Sequence, residues 1–164
     1  MTQPTNHLLQ IVERIRSEKR ELRTAQRRGR VEIANEILRI VASHGRKFFS
    51  LYGDGSPKAN QPDRISFFEL RLRDRLWFID KCTQHPIYTA YKGRWRGFSE
   101  GGTLRNLVEA LRDYIMRGEK IHVKAHFGPW PEWVSGGDLW GYGEKEMALV
   151  RSEVESLLAK NGNN

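Results

Sequence analysis

The sequence predicts an α+β fold in which an N-terminal basic helical segment precedes a three- to four-stranded antiparallel sheet packed by an amphipathic helix. Three observations predict it. A run of strand-like segments between Ile65 and Phe98 is joined by short links, and short links require antiparallel neighbours. A single apolar stripe, Leu104, Leu107, Val108, Leu111 and Ile115, follows at helical spacing. A proline-free segment from Leu8 to Ser43 precedes the strands, with apolar periodicity at both of its ends.

The first segment opens with Leu8, Ile11, Val12 and Ile15 on one stripe. Between Arg16 and Arg30 only Leu22 and Ala25 are apolar, and Gly29 is its only strong helix weakener, so the segment reads as one long helix, whole or broken near Gly29, or as two helices. Ile33, Ile37, Leu38, Ile40 and Val41 restore the periodicity before Gly45 stops it. Tyr52 to Arg64 is rich in Gly, Asp, Asn and Pro and reads as a linker or long loop. Phe68, Leu70 and Leu72 alternate with Glu69, Arg71 and Arg73 as a half-buried first strand. Leu76–Ile79 and Ile87–Tyr91 follow as the second and third, and Trp95–Phe98 continues the sheet or begins a fourth. The stripe from Leu104 to Ile115 ends at Gly118, and Ser99 or Thr103 is expected to cap its start. Ile121–Ala125 alternates like another strand. A Gly/Pro/Trp-rich stretch and a helix from Glu144 to Lys160 complete the chain. The organisation is thus a basic helical segment over 1–48, a linker over 49–64, a sheet-and-helix core over 65–126, and a Trp-rich stretch with a C-terminal helix over 127–164.

Charge is unevenly placed. Residues 1–48 carry 11 Lys/Arg against 5 Asp/Glu, residues 49–126 carry 14 against 9, and residues 127–164 carry 3 against 6. A basic body with an acidic end favours polyanionic partners. No apolar run approaches the ~18 residues of a membrane span, the N-terminus is polar and unlike a signal peptide, and the single Cys82 forms no internal disulfide. A cytoplasmic protein without membrane contact is expected, in the host cell if the chain is phage-encoded.

Catalytic patterns are few. Gly97-Phe98-Ser99-Glu100-Gly101 has the letters of a nucleophile elbow, with Asp113 and His122 or His126 following in order. That elbow belongs on a large parallel sheet, whereas this chain is short and its strands form a meander. His122 and His126 have metal-like spacing that converges only on a helix, and they are placed here on a strand. No P-loop or dinucleotide fingerprint is present. The expectation is a non-enzymatic protein without cofactor or metal.

The basic constellation is more specific. Arg71 and Arg73 lie on the first strand. Lys92, Arg94 and Arg96 interleave with Trp95. Guanidinium groups reach phosphates and base edges, and aromatic rings offer stacking surfaces. Arg16, Lys19, Arg20, Arg23 and Arg27 fall near one face of the first helix and form a second phosphate-tracking candidate, or a face that pairs with Glu13, Glu18 and Glu21 in a homodimer. Trp130, Trp133, Trp140 and Tyr142 are candidates for a protein interface.

The order helix, three strands, helix resembles the double-stranded-RNA-binding domain over residues 31–117, although Gly101-Gly102-Thr103-Leu104-Arg105 replaces the basic cluster that family carries at its last helix. Three strands and a helix with Arg71, Arg73, Trp77, Arg94, Trp95 and Arg96 are also similar to integrase-type and plant ethylene-response DNA-binding domains, which implies that the sheet meets nucleic acid. The stretch from Gly93-Arg94-Trp95-Arg96-Gly97-Phe98 through Ile115 looks like small accessory proteins of phages and mobile elements. That resemblance implies an inhibitor that binds a host defence protein or nucleoprotein complex. The expected partner is therefore DNA or RNA, or a protein complex that handles it.

Overall fold

The computed structural model describes residues 4–44, 48–51, 62–90, 95–131, 133, 140 and 142–162. Helix α1 runs from Pro4 to Ser43, and β1 (Phe67–Arg71), β2 (Arg75–Asp80) and β3 (His85–Tyr88) form an antiparallel sheet in the order β1-β2-β3. Three helices follow: α2 (Gly102–Arg117), α3 (Val123–Phe127) and α4 (Glu144–Lys160). The fold is α+β, as the sequence predicts. No described helix is long and apolar enough to cross a membrane.

The 40 residues of α1 extend for about 60 Å at 1.5 Å per residue. Gly29 does not break it, because the flanking Arg, Glu, Gln and Ala residues are good helix formers and the cost of one glycine is only about 1 kcal/mol. The two ends of α1 differ. From Ala34 onward Ile37, Leu38 and Val41 are fully buried, whereas Leu8, Leu9, Ile11, Val12, Ile15 and Leu22 are exposed. The body is first reached at Thr24 and Arg27. Thr24 Oγ1 donates to Asp74 at 2.9 Å and Arg27 pairs with the same carboxylate at 2.9 Å, while Arg27 Nε reaches the Met116 carbonyl at 3.2 Å. Arg30 Nε donates to the Ile115 carbonyl at 2.9 Å, which fixes α1 to the end of α2.

Asn35 joins helix and sheet. Its Oδ1 accepts from the Phe68 amide at 2.6 Å and its Nδ2 donates to the Phe68 carbonyl at 3.0 Å. The side chain thus mimics a neighbouring strand and satisfies two main-chain groups on the free edge of β1. The other edge strand, β3, contains Pro86, which brings no N–H to an edge.

Alternation within the strands separates two faces. Phe68, Leu76, Phe78 and Ile87 are buried and share one core with the stripes of α1, α2 and α4, with Phe127, and with Tyr142. That core draws on residues from Ala34 to Leu158. The opposite face carries Phe67, Glu69, Arg71, Arg75, Trp77, Ile79, Pro86 and Tyr88, in cross-strand rows Glu69–Trp77–Tyr88, Arg71–Arg75 and Phe67–Ile79–Pro86.

Several expectations are corrected. Leu72 is not on the buried face; β1 ends at Arg71, and Leu72 sits in a 3-10 turn at 90% exposure. Arg73 and Asp74 in that turn both have positive φ, the pattern of a tight hairpin reversal. Trp95–Phe98 is a turn and not a strand. The third strand ends at Tyr88, and Tyr91 lies outside the described residues, as do residues 52–61 of the expected linker. The residue preceding α2 is Gly101, without a side-chain cap; the Thr103 hydroxyl instead accepts from Trp140 Nε1 at 2.7 Å. Ile121–Ala125 is not a strand. His122 is the extended residue before α3, and Val123 and Phe127, four apart, turn into the core. Five alternating residues fit one helical turn as well as a short strand, and the left-handed Gly118 and positive-φ Gly128 that bound this segment favour the turn.

Replacing Asn35 with alanine strands a buried N–H and C=O on β1. The substitution is expected to lower stability by about 2 kcal/mol, measured by urea unfolding, and an unchanged midpoint would remove Asn35 from its edge-pairing role.

Candidate nucleic-acid interface

The outer face of the sheet groups aromatic and guanidinium side chains. Trp77 and Tyr88 are cross-strand partners, and their rings stack with centroids 5.2 Å apart and planes 29° apart. Arg71 lies over the Trp77 ring at 4.8 Å and Arg75 over the Tyr88 ring at 5.9 Å. Lys81 lies over Phe67 at 5.6 Å. Beside this layer is an open cavity of about 410 Å³ lined by Arg75, Trp77, Pro86, Ile87, Tyr88, Trp95 and Arg96. Among the described residues of this face, Glu69 is the carboxylate, and it takes Arg71 at 3.4 Å.

Two loops fix the surroundings. At the hairpin tip, Thr24 and Arg27 hold Asp74 and with it the left-handed Arg73. A left-handed non-glycine residue costs on the order of 1 kcal/mol, so the clamp on Asp74 offsets strain that projects Arg73 outward. On the other side, buried Asp80 accepts from the Cys82 amide at 2.9 Å and the Thr83 amide at 3.4 Å, and from the Ser99 amide at 2.7 Å. This carboxylate ties the turn after β2 to the chain entering α2. Cys82 is exposed as a residue, yet its Sγ donates inward to the Ser50 carbonyl at 3.4 Å. Burial of the sulfur and then the Asp80 charge push its pKa up, which leaves a poorly nucleophilic thiol.

The residues singled out in the sequence separate into distinct environments. Arg71, Arg73 and Arg96 are exposed on or beside the sheet face. Lys92 and Arg94 lie outside the described residues. Trp95 offers no free ring: it is 4% exposed, meets Phe98 edge-on at 5.4 Å, and is covered by Arg105 at 5.2 Å and Arg112 at 5.6 Å. Arg16, Lys19, Arg20 and Arg23 are exposed on the free half of α1, whereas Arg27 is committed to Asp74. Asp74 therefore brings the base of the helix's basic row to the arginine-bearing hairpin. Of the Trp-rich group, Tyr142 is buried, its hydroxyl donating to the Val41 carbonyl at 2.8 Å, so it is no interface residue. Trp130 packs against the core and Trp140 stands edge-on to Phe127 at 5.9 Å. Trp133 alone of these described side chains is open, at 85% exposure. Tyr88 escaped the sequence reading, and Trp77 entered it only through a resemblance. The run Leu76-Trp77-Phe78-Ile79 is apolar throughout, so the face of Trp77 is legible only from the register with β1.

The nucleophile-elbow letters do not assemble a triad. The Ser99 amide is taken by Asp80, and Asp113 is held by Arg112 and Arg117; it lies some 16 Å along α2 from its start, at 1.5 Å per residue. His122 precedes the single helical turn of α3 and His126 lies within it, so neither is on a strand, yet among the described residues no three metal-ligating side chains converge. Burial, then the neighbouring His122, lowers the pKa of His126. A base whose folded-state pKa is depressed contributes stability that is present above its unfolded pKa of about 6.5 and is lost as pH falls through the folded value. Acidification from pH 7.5 toward pH 5 should lower the melting temperature, and His126→Gln should blunt that fall; identical pH profiles would discount the histidine.

A model of the YoqU family matches residues 24–158. The SPbeta prophage-derived uncharacterized protein YoqU of Bacillus subtilis (strain 168) is 22% identical over 130 residues, which cover 78% of this chain and 80% of that protein. No solved structure matches.

Proposed function

The chain belongs to the YoqU family, and we propose that it is a non-enzymatic protein that binds single-stranded nucleic acid on the outer face of its sheet. The observation that carries this reading is the layered group Arg71–Trp77–Tyr88–Arg75. Two aromatic rings on an open sheet offer bases a stacking surface, and arginines beside them are free to turn from ring to phosphate. The cavity between Tyr88 and Arg96 suits a base that leaves the stack. Arg73 extends the row of cations past the hairpin tip, and Arg16 and Arg20 extend it along α1. Buried Trp95 serves as the anchor of the Arg96 turn.

The test is titration of labelled single-stranded and duplex DNA and RNA across a salt series. Trp77→Ala and Tyr88→Ala are each expected to weaken single-strand binding by about tenfold or more, since stacking on an aromatic ring is worth roughly 1–3 kcal/mol per base. With Arg71, Arg73, Arg75 and Arg96 on phosphates, log affinity should fall with log salt at a slope of about −3. Absence of binding at low salt, or full binding by the Trp77→Ala, Tyr88→Ala double variant, contradicts the proposal.

Exposed Trp133 favours a second reading. A chain with a prophage-derived relative is consistent with phage origin, and such a protein would act on a host defence protein or nucleoprotein complex through that ring. A host partner captured by the full chain and lost with Trp133→Ala supports it; capture that ignores the substitution counts against it.

A further inference from the structure

Among the described residues, nothing covers the apolar stripe on the free half of α1. Leu8, Ile11, Val12, Ile15 and Leu22 are exposed, and they fall at the spacing of one helical face. The same face continues through Ile33, Ile37 and Ile40, where the body covers it. The family match begins at residue 24, where α1 first touches the body. Residues 4–23 therefore form a projecting segment of about 30 Å with a covered-type face and no cover.

The flanks of the stripe are unlike in charge. Arg16, Arg20 and Arg23 border one side with Glu13 beyond them, and Glu18 and Glu21 border the other with Arg14 between them; at the positions next to the stripe the sides are Arg16 and Arg23 against Glu18. Arg23 has no acidic residue three or four positions away on its own helix, and neither does Glu21 have a cation there. Among the described residues every ion pair lies at or beyond Arg27. Glu18 has Arg14 four residues before it, but no ion pair joins the two among the described residues, so Glu18 and Arg23 both face outward for a partner helix.

We infer that residues 4–23 pair in parallel and in register with the same segment of a second copy of this chain. In a parallel pair the opposite flanks of two copies face each other, so Glu18 of each meets Arg23 of the other, five residues on. Leu8, Val12, Ile15 and Leu22 alternate along the seam. Lys19 also falls on the seam, and one such polar residue fixes register at a cost in stability. An antiparallel pair would set the Arg16–Arg23 flank against itself, which like-charge repulsion disfavours.

Sedimentation equilibrium of the full chain over the micromolar range tests this. A reversible dimer is expected, and Ile15→Glu should leave monomer throughout. Glu18→Arg and Arg23→Glu should each weaken the dimer by about fivefold, two exposed ion pairs being worth roughly 1 kcal/mol together. The double variant E18R/R23E should restore it, since both reversed residues meet across the seam. Wild-type monomer at every concentration, a dimer indifferent to Ile15→Glu, or a double variant no tighter than the single variants would each overturn the inference.

Discussion

The pair of hydrogen bonds between Asn35 and the main chain of Phe68 sets the relation of helix to sheet on which the remaining architecture depends. It places the buried side of α1 beside β1 and closes that sheet edge. With the edge closed, Phe68, Leu76 and Phe78 turn toward one core shared with α2 and α4, and alternation turns Trp77 and Tyr88 the other way. An open aromatic face therefore follows from a closed inner one. A second contact, Asp74 with Thr24 and Arg27, repeats the helix-to-sheet attachment at the hairpin tip. It explains how two consecutive non-glycine residues stay left-handed there.

Positive charge in this molecule has two uses. Some arginines complete the fold: Arg27 and Arg30 bind carbonyls at the end of α2, and Arg112 reaches the Thr89 carbonyl at 3.0 Å while covering Trp95. Others, including Arg73, Arg75 and Arg96, stand at the surface beside the aromatic pair. Net charge alone does not separate these groups. Burial and main-chain partners do, and among the solvent-facing cations they single out the group on the hairpin beside the aromatic pair.

Much of the fold is legible in the residues. The α2 stripe, the C-terminal helix through Met147, Val150, Val154 and Leu158, and the antiparallel order of the strands all follow from periodicity and link length. The illegible parts have physical reasons. Leu72 continues the alternation of β1 by type, yet the turn begins at it. Ile121–Phe127 carries a pattern shared by a short strand and a single helical turn. The site is less legible than the fold. Arg71, Arg73 and Arg96 stand out by charge, but Tyr88 is one aromatic in a β-rich run, and its role depends on a stacking partner eleven residues away. Trp95 and Tyr142 show the converse, since aromatic type suggests a surface and packing buries both rings.

The most direct test of the central claim is amide chemical-shift mapping of the isotopically labelled chain during titration with a single-stranded oligonucleotide. The account predicts the largest shifts at residues 69–77 and at Tyr88 and Arg96, with the α4 amides unmoved. Shifts confined to the free half of α1 or to the surroundings of Trp133, or none at low salt, would contradict it.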